Sequence, residues 1–315
     1  MAPVGVVSGG SQSAAGVAFA VQNGHTGLLF RSNARFMAFP HGRDAQPPAG
    51  NGLIHRRFHR RGPSQEARSE RPAVPSFLDI RRRFAFRAIS IGRWVTEAEK
   101  QRAAGLFYDA LCDLMAILKG PEALISLRGT LALQYGQGGQ RGVAAHYEPA
   151  THTFALAKNA GPGSIAHEWF HAFDHYICDK AFAPVPGASF GSKAWLANAA
   201  GLSHPLNDRL RNCYQAVLLN EAGTAPSELF EHSAEQDKRL GTVYYSLPEE
   251  LCARAFEAFV QDAPIKNSFL VMGTRQTDEA RLGLYPQGQQ RARVNAAFQD
   301  YFTHLGQALY RSAEA

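Results

Sequence analysis

The chain holds only four cysteines in 315 residues, Cys112, Cys178, Cys213 and Cys252, and none of them forms a C-x-x-C pair with another. That spacing argues against a thiolate zinc cluster or a dithiol redox motif and fits reduced thiols in a cytoplasmic protein. No apolar run approaches the roughly 18 residues needed to span a bilayer, so no membrane partner is expected. Lysine is missing from the first 75 residues, and the earliest positive charge, Arg31, comes too late for the basic end of a secretory signal. A phosphate loop is also missing. The glycine-rich stretch Gly136-Gln137-Gly138-Gly139-Gln140-Arg141-Gly142 is not followed by Gly-Lys-Ser/Thr, and it reads as a flexible hairpin tip.

What is present divides unevenly along the chain. Hydrophobic residues make up 45% of the whole, enough for a buried core. The net charge of +6 comes entirely from residues 1–75, which hold nine arginines against three acids, whereas residues 76–315 hold 24 charges of each sign. Rich in Gly, Pro, Ser and Gln and without an apolar period, residues 1–75 read as a mostly disordered Arg-rich leader, with the folded domain spanning 76–315. Within the leader, His55-Arg56-Arg57-Phe58-His59-Arg60-Arg61 could contact nucleic acid or an acidic partner, or serve as a solvated linker.

Past the leader, Thr96-Glu97-Ala98-Glu99 is a capping box opening an amphipathic helix that ends at Gly120-Pro121. Three β-like runs follow, at 130–135, 143–147 and 153–157, and they read as an antiparallel meander. Ser164 is placed to cap a helix running to about Lys180. Further helices are expected near 205–220, from the capping box Ser246-Leu247-Pro248-Glu249 to about Asp262, and over 290–310.

The chemistry is carried by His167-Glu168-Trp169-Phe170-His171, an H-E-x-x-H pattern on a predicted helix. Four residues advance a helix just over one turn, so both imidazoles project from one face and can grip one ion. A bound Zn2+ would lower the pKa of its water to about 7, and Glu168 lies where it could take that proton and pass it to a leaving group. A catalytic zinc takes a third protein ligand. Position 177 is Ile, which disfavours a ligand six residues past the second histidine. A carboxylate on a later helix is the alternative: Glu250, beside the small Ala253, or Glu257 two turns on along the same face, with Arg254 between them. Glu249 reads as a helix-start residue. Asp174 could hold the outer nitrogen of a ligating histidine. His146, His152 and His175 read as ordinary core or solvated histidines. Tyr245 and Tyr285 are candidate donors to an oxyanion.

Together these residues resemble a known family, the first type of large polyvalent-protein-associated domain, a zincin-like module of phage, plasmid and integrative-element proteins. The resemblance runs from about Phe77 to Leu305. It is carried by Phe84-Ala85-Phe86-Arg87, Gly92-Arg93-Trp94-Val95, Ala145-His146-Tyr147-Glu148-Pro149, Gly163 to Trp169, Leu251 to Phe259, and Leu284-Tyr285-Pro286-Gln287-Gly288 with Arg291 and Asn295-Ala296-Ala297-Phe298. It implies an α+β, minimal gluzincin fold: a small antiparallel sheet packed on the H-E-x-x-H helix, otherwise mainly helical. It also implies a zinc metallopeptidase acting on a protein or peptide substrate in the cytoplasm or in a recipient or host cell, and it favours Glu250 as third ligand. The large ring of Phe170, where the family is expected to have a small residue, keeps open a non-cleaving module that binds protein or nucleic acid. Hydrolysis of a non-peptide amide would use the same residues.

Overall fold

The structure, a computed structural model, describes residues 59–61, 71–137, 145–158 and 163–314. Most of the leader, most of the expected hairpin tip and the start of the 143–147 run lie outside the described residues. By contacts the chain divides at residue 33, and everything described belongs to the unit that follows.

The fold is mixed α+β. Helix α1 (Phe77–Phe84) leads into strand β2 (Ala88–Ile91), helix α2 (Glu97–Leu118), the short α3 (Glu122–Ile125) and strands β3 (Ala132–Tyr135), β4 (Ala145–Glu148) and β5 (Thr153–Leu156). Helices α4 (Ser164–Ala181), α5 (Gly191–Leu196), α6 (Asn207–Leu218), α7 (Glu228–Leu240) and α8 (Pro248–Asp262) follow. The described part closes with β6 (Lys266–Asn267), α9 (Asp278–Arg281) and α10 (Gly288–Glu314). Strand β1 (Arg60–Arg61) comes from the Arg cluster and pairs antiparallel with β6.

The main sheet corrects the expectation of an antiparallel meander. Its order is β2-β3-β5-β4; β2 with β3 and β3 with β5 are parallel, and only β4 with β5 is antiparallel. Burial explains the arrangement. All four residues of β5 are buried, whereas Ala145-His146-Tyr147-Glu148 in β4 buries only Tyr147, so the apolar strand sits inside and the polar one at the edge. The parallel β2–β3 pair needs a crossover, and α2 supplies it. That helix keeps its capping box, with the Thr96 side chain accepting from the Glu99 amide and the Glu99 carboxylate accepting from the Thr96 amide.

Two other helix starts differ from expectation. Gly163, not Ser164, is the N-cap of α4; its φ is 95°, and a Cβ there would lie 2.6 Å from the Met272 backbone nitrogen. With no side chain to cap the helix, its first amides are taken by carbonyls of a distant turn: Gly163 N–H donates to Phe269 O (3.3 Å) and Ala166 N–H to Leu270 O (3.1 Å). At α8 the capping box does not form. Ser246 gives its amide and hydroxyl to Asp237 (2.8 and 2.6 Å), leaving Leu247 as N-cap before Pro248 in the first turn.

The core that seats α4 is aromatic. Trp169 stacks on Phe173 and on Phe256 of α8, both with centroids 5.5 Å apart, and its indole N–H donates to Ile125 O. Phe170 lies 4.9 Å from the Phe256 ring and 5.6 Å from Phe298 of α10. Phe170 therefore fills the core between α4, α8 and α10. Phe170→Ala should lower the unfolding free energy by about 3–5 kcal/mol in a urea titration. Trp94→Ala, at a side chain 87% exposed, should change it by less than about 0.5 kcal/mol.

Candidate metal centre

Helix α4 turns His167 and His171 to the same side, with ring centroids 4.7 Å apart and Nε2 atoms separated by 3.0 Å. Helix α8 packs across them, and its fully buried Ala253 and Ala255 leave room for close approach. His167 meets both Glu257 and Glu250, while His171 meets Glu250, the contact pattern of helices running in opposite directions. Glu250 Oε2 stands 3.4 Å from His167 Nε2, and Glu250 Oε1 3.3 Å from His171 Nε2. Among the described residues, His167, His171 and Glu250 form the one cluster of three such side chains able to hold a metal ion.

The donor set fits a small divalent ion. Bonds of about 2.0–2.1 Å in a tetrahedron place neighbouring ligand atoms about 3.3 Å apart; the two Nε2 atoms are 3.0 Å apart, and one ligand atom from each of the three residues lies within 4.8 Å of the others. Two imidazole nitrogens 3.0 Å apart repel unless a proton or a cation lies between them. Glu250 Oε2 is moreover buried without a hydrogen-bond partner.

The remaining candidates sort by what they touch. Glu257 Oε1 is 2.6 Å from His167 Nδ1, on the outer side of the ring, and Tyr285 OH donates to Glu257 Oε2 at 3.3 Å. Glu257 thus fixes the His167 ring, and Tyr285 holds Glu257, the outer-nitrogen contact that a metal-binding histidine would need. Asp174 is not hydrogen-bonded to His167 or His171. It accepts from the Ser192 amide (3.0 Å), the Ser192 hydroxyl (2.5 Å) and Tyr214 OH (2.7 Å), tying α4 to α5 and α6. Burial, against those hydrogen bonds, pushes its pKa up to about 6. Glu249 takes Lys193 Nζ at 2.9 Å. His175 shares a hydrogen bond with Tyr147 OH (2.9 Å) and lies 5.1 Å from the ring of His152.

Tyr245 is occupied structurally: its amide donates to Asp237 at 2.9 Å, its carbonyl accepts from Arg254, and Arg254 lies over its ring. Its neighbour Tyr244 is electrostatically coupled to the centre. Burial, then the Glu250 and Glu168 carboxylates, hold the Tyr244 hydroxyl well above its ordinary pKa. Glu168 is 6% exposed, and burial raises its pKa although both histidines oppose the shift. Burial works against a proton on His167, but Glu257 and Glu250 outweigh it and raise the pKa well above the usual value; His171 is raised in the same sense by Glu250.

Against known proteins, residues 236–309 match the family model of large polyvalent protein-associated domain 1. The matched stretch contains Tyr244, Glu250, Glu257 and Tyr285, while His167, Glu168 and His171 precede it. No curated protein and no solved structure matches the chain.

Glu257→Gln should weaken Zn2+ binding about 10–100-fold in a competition titration against a chromophoric chelator. Because both imidazoles must release protons that the carboxylates help to hold, the affinity of the unaltered protein should fall as pH is lowered through and above the ordinary histidine range. An affinity independent of pH would contradict this arrangement.

Proposed function

We propose that the chain is a zinc-dependent endopeptidase with a zincin-like fold. One observation carries the reading: His167 Nε2 and His171 Nε2 lie 3.0 Å apart, each with its own oxygen of the Glu250 carboxylate within 3.4 Å, and buried Glu168 is next in the chain to His167. When bound, Zn2+ supplies an acidified water and a Lewis acid for a carbonyl oxygen. Glu168 accepts a proton at its carboxylate and returns it to the departing amine. Its raised proton affinity suits both halves of that transfer. Glu257, steadied by Tyr285, keeps the His167 ring in the tautomer whose Nε2 lone pair faces inward. The Tyr244 hydroxyl, kept protonated by burial and the Glu250 and Glu168 carboxylates, is the candidate donor to an oxyanion.

A protein or peptide substrate is supported by the sheet. Strand β4 pairs with β5 on one side and forms an edge of the sheet, so an extended peptide can add to its other side. That edge strand packs against α4, as the zincin-like reading requires. Phe170, the residue that left room for a non-cleaving binding module, is turned into the aromatic core. No helix among the described residues is long and apolar enough to cross a membrane. We place the activity in the cytoplasm of a cell carrying a phage or mobile element, or of a host receiving the protein.

Metal analysis and a proteome-scale cleavage assay test the reading together. The protein should hold one zinc per chain, and Glu168→Gln should keep the metal while cleaving about 10²–10⁴-fold more slowly. Zinc-free protein with no Glu168-dependent product would overturn it.

A further inference from the structure

The metal-bearing helix depends on another part of the chain for its cap. Since Gly163 offers no side chain, the α4 amides at Gly163 and Ala166, the latter adjacent to His167, are satisfied by the Phe269 and Leu270 carbonyls. The turn presenting those carbonyls is shaped by Asn267. Its side-chain oxygen accepts from the Phe269 and Leu270 amides at 3.0 and 3.2 Å, and its backbone oxygen accepts from Leu270 and Val271, both at 3.1 Å.

Asn267 is fixed from its other end by Asp113. The Asn267 amide nitrogen donates to Asp113 Oδ2 at 2.8 Å, and Asp113, on α2, has no exposed surface. A buried carboxylate needs a cation, and this one comes from the leader. Arg60 makes a two-pronged pair with it, Nε to Oδ2 at 2.6 Å and Nη2 to Oδ1 at 2.7 Å. One turn earlier on α2, Asp109 takes Arg60 Nη1 at 3.3 Å and Arg71 Nε at 2.7 Å. The backbone adds a second tie: the His59 amide donates to Ser268 Oγ and the Ser268 amide to His59 O, both at 2.8 Å.

We infer that the leader strand His59–Arg61 is a working part of the metal centre, with Arg60 a positioning residue that holds the cap of α4 through Asp113 and Asn267. The Arg cluster then does more than add positive charge: one of its arginines is committed to an internal acidic slot. Metal retention becomes conditional on the leader being seated. The metal consequence rests on the reading of His167, His171 and Glu250 as ligands, whereas the capping consequence does not.

The test uses the full chain. In metal-free protein, Arg60→Ala should speed hydrogen exchange at the Gly163 and Ala166 amides. In zinc titrations it should weaken affinity about tenfold, within the range for residues that position ligands. Arg60→Lys, which restores charge without the two-pronged geometry, should recover part of both effects, and Arg61→Ala, with its exposed side chain, should change neither. If Arg60→Ala does not fold, the double variant Arg60→Ala with Asp113→Asn removes the unpaired carboxylate and should show the same fast exchange. Unchanged exchange at Gly163 and Ala166 in the folded variant, or equal losses in Arg60→Ala and Arg61→Ala, would overturn the inference. Failure of the unaltered protein to bind zinc would instead reject the metal reading and leave the exchange measurement decisive for Arg60.

Discussion

The centre depends on the packing of α8 against α4. Trp169, Phe170 and Phe256 set the separation of the two helices, and that separation decides whether Glu250 meets the imidazoles or stays a buried, unpaired charge. His167, Glu168, His171, Glu250 and Glu257 are each less than a tenth exposed, and burying any of them alone would be costly. Together they offset one another. Carboxylates face imidazoles on both ring edges of His167, and the aromatic face contributes the apolar burial that keeps water out.

Much of the centre was legible in the sequence, because H-E-x-x-H on a helix has a fixed geometry and because Glu250 and Glu257 share a face of the next suitable helix. Periodicity could not divide those two glutamates between inner and outer nitrogens. That division comes from the direction and offset of α8 along α4, a tertiary quantity. The α2 capping box was legible for the same reason as the metal motif: both partners lie within one turn. Where a helix start is fixed from a distance, local signals misled. Ser246 is drawn away by Asp237, and α4 is capped by a turn about a hundred residues further on. Strand direction was also hidden. Alternation marks which segments are extended, but the parallel β3–β5 pairing follows from which strand can tolerate burial on both faces. Asp174 illustrates the limit for single polar residues: its place on the helix was clear, and its partners Ser192 and Tyr214 were not.

The family match and the motif occupy different parts of the chain. Residues 236–309 bring Tyr244, Glu250, Glu257 and Tyr285, and the preceding region brings the two imidazoles and Glu168. The leader adds Arg60 from further upstream, so three separated segments meet within one structural unit.

His167 and its outer carboxylate at Glu257 are 90 positions apart. During synthesis the chain emerges from its amino end, so the paired imidazoles leave the ribosome well before either glutamate does. A nascent chain can offer an ion only two nitrogens, a weak chelate, until α8 has been translated and docked. On the proposed reading, metal loading is a late step in biogenesis, one that follows translation and folding of the carboxyl-terminal half.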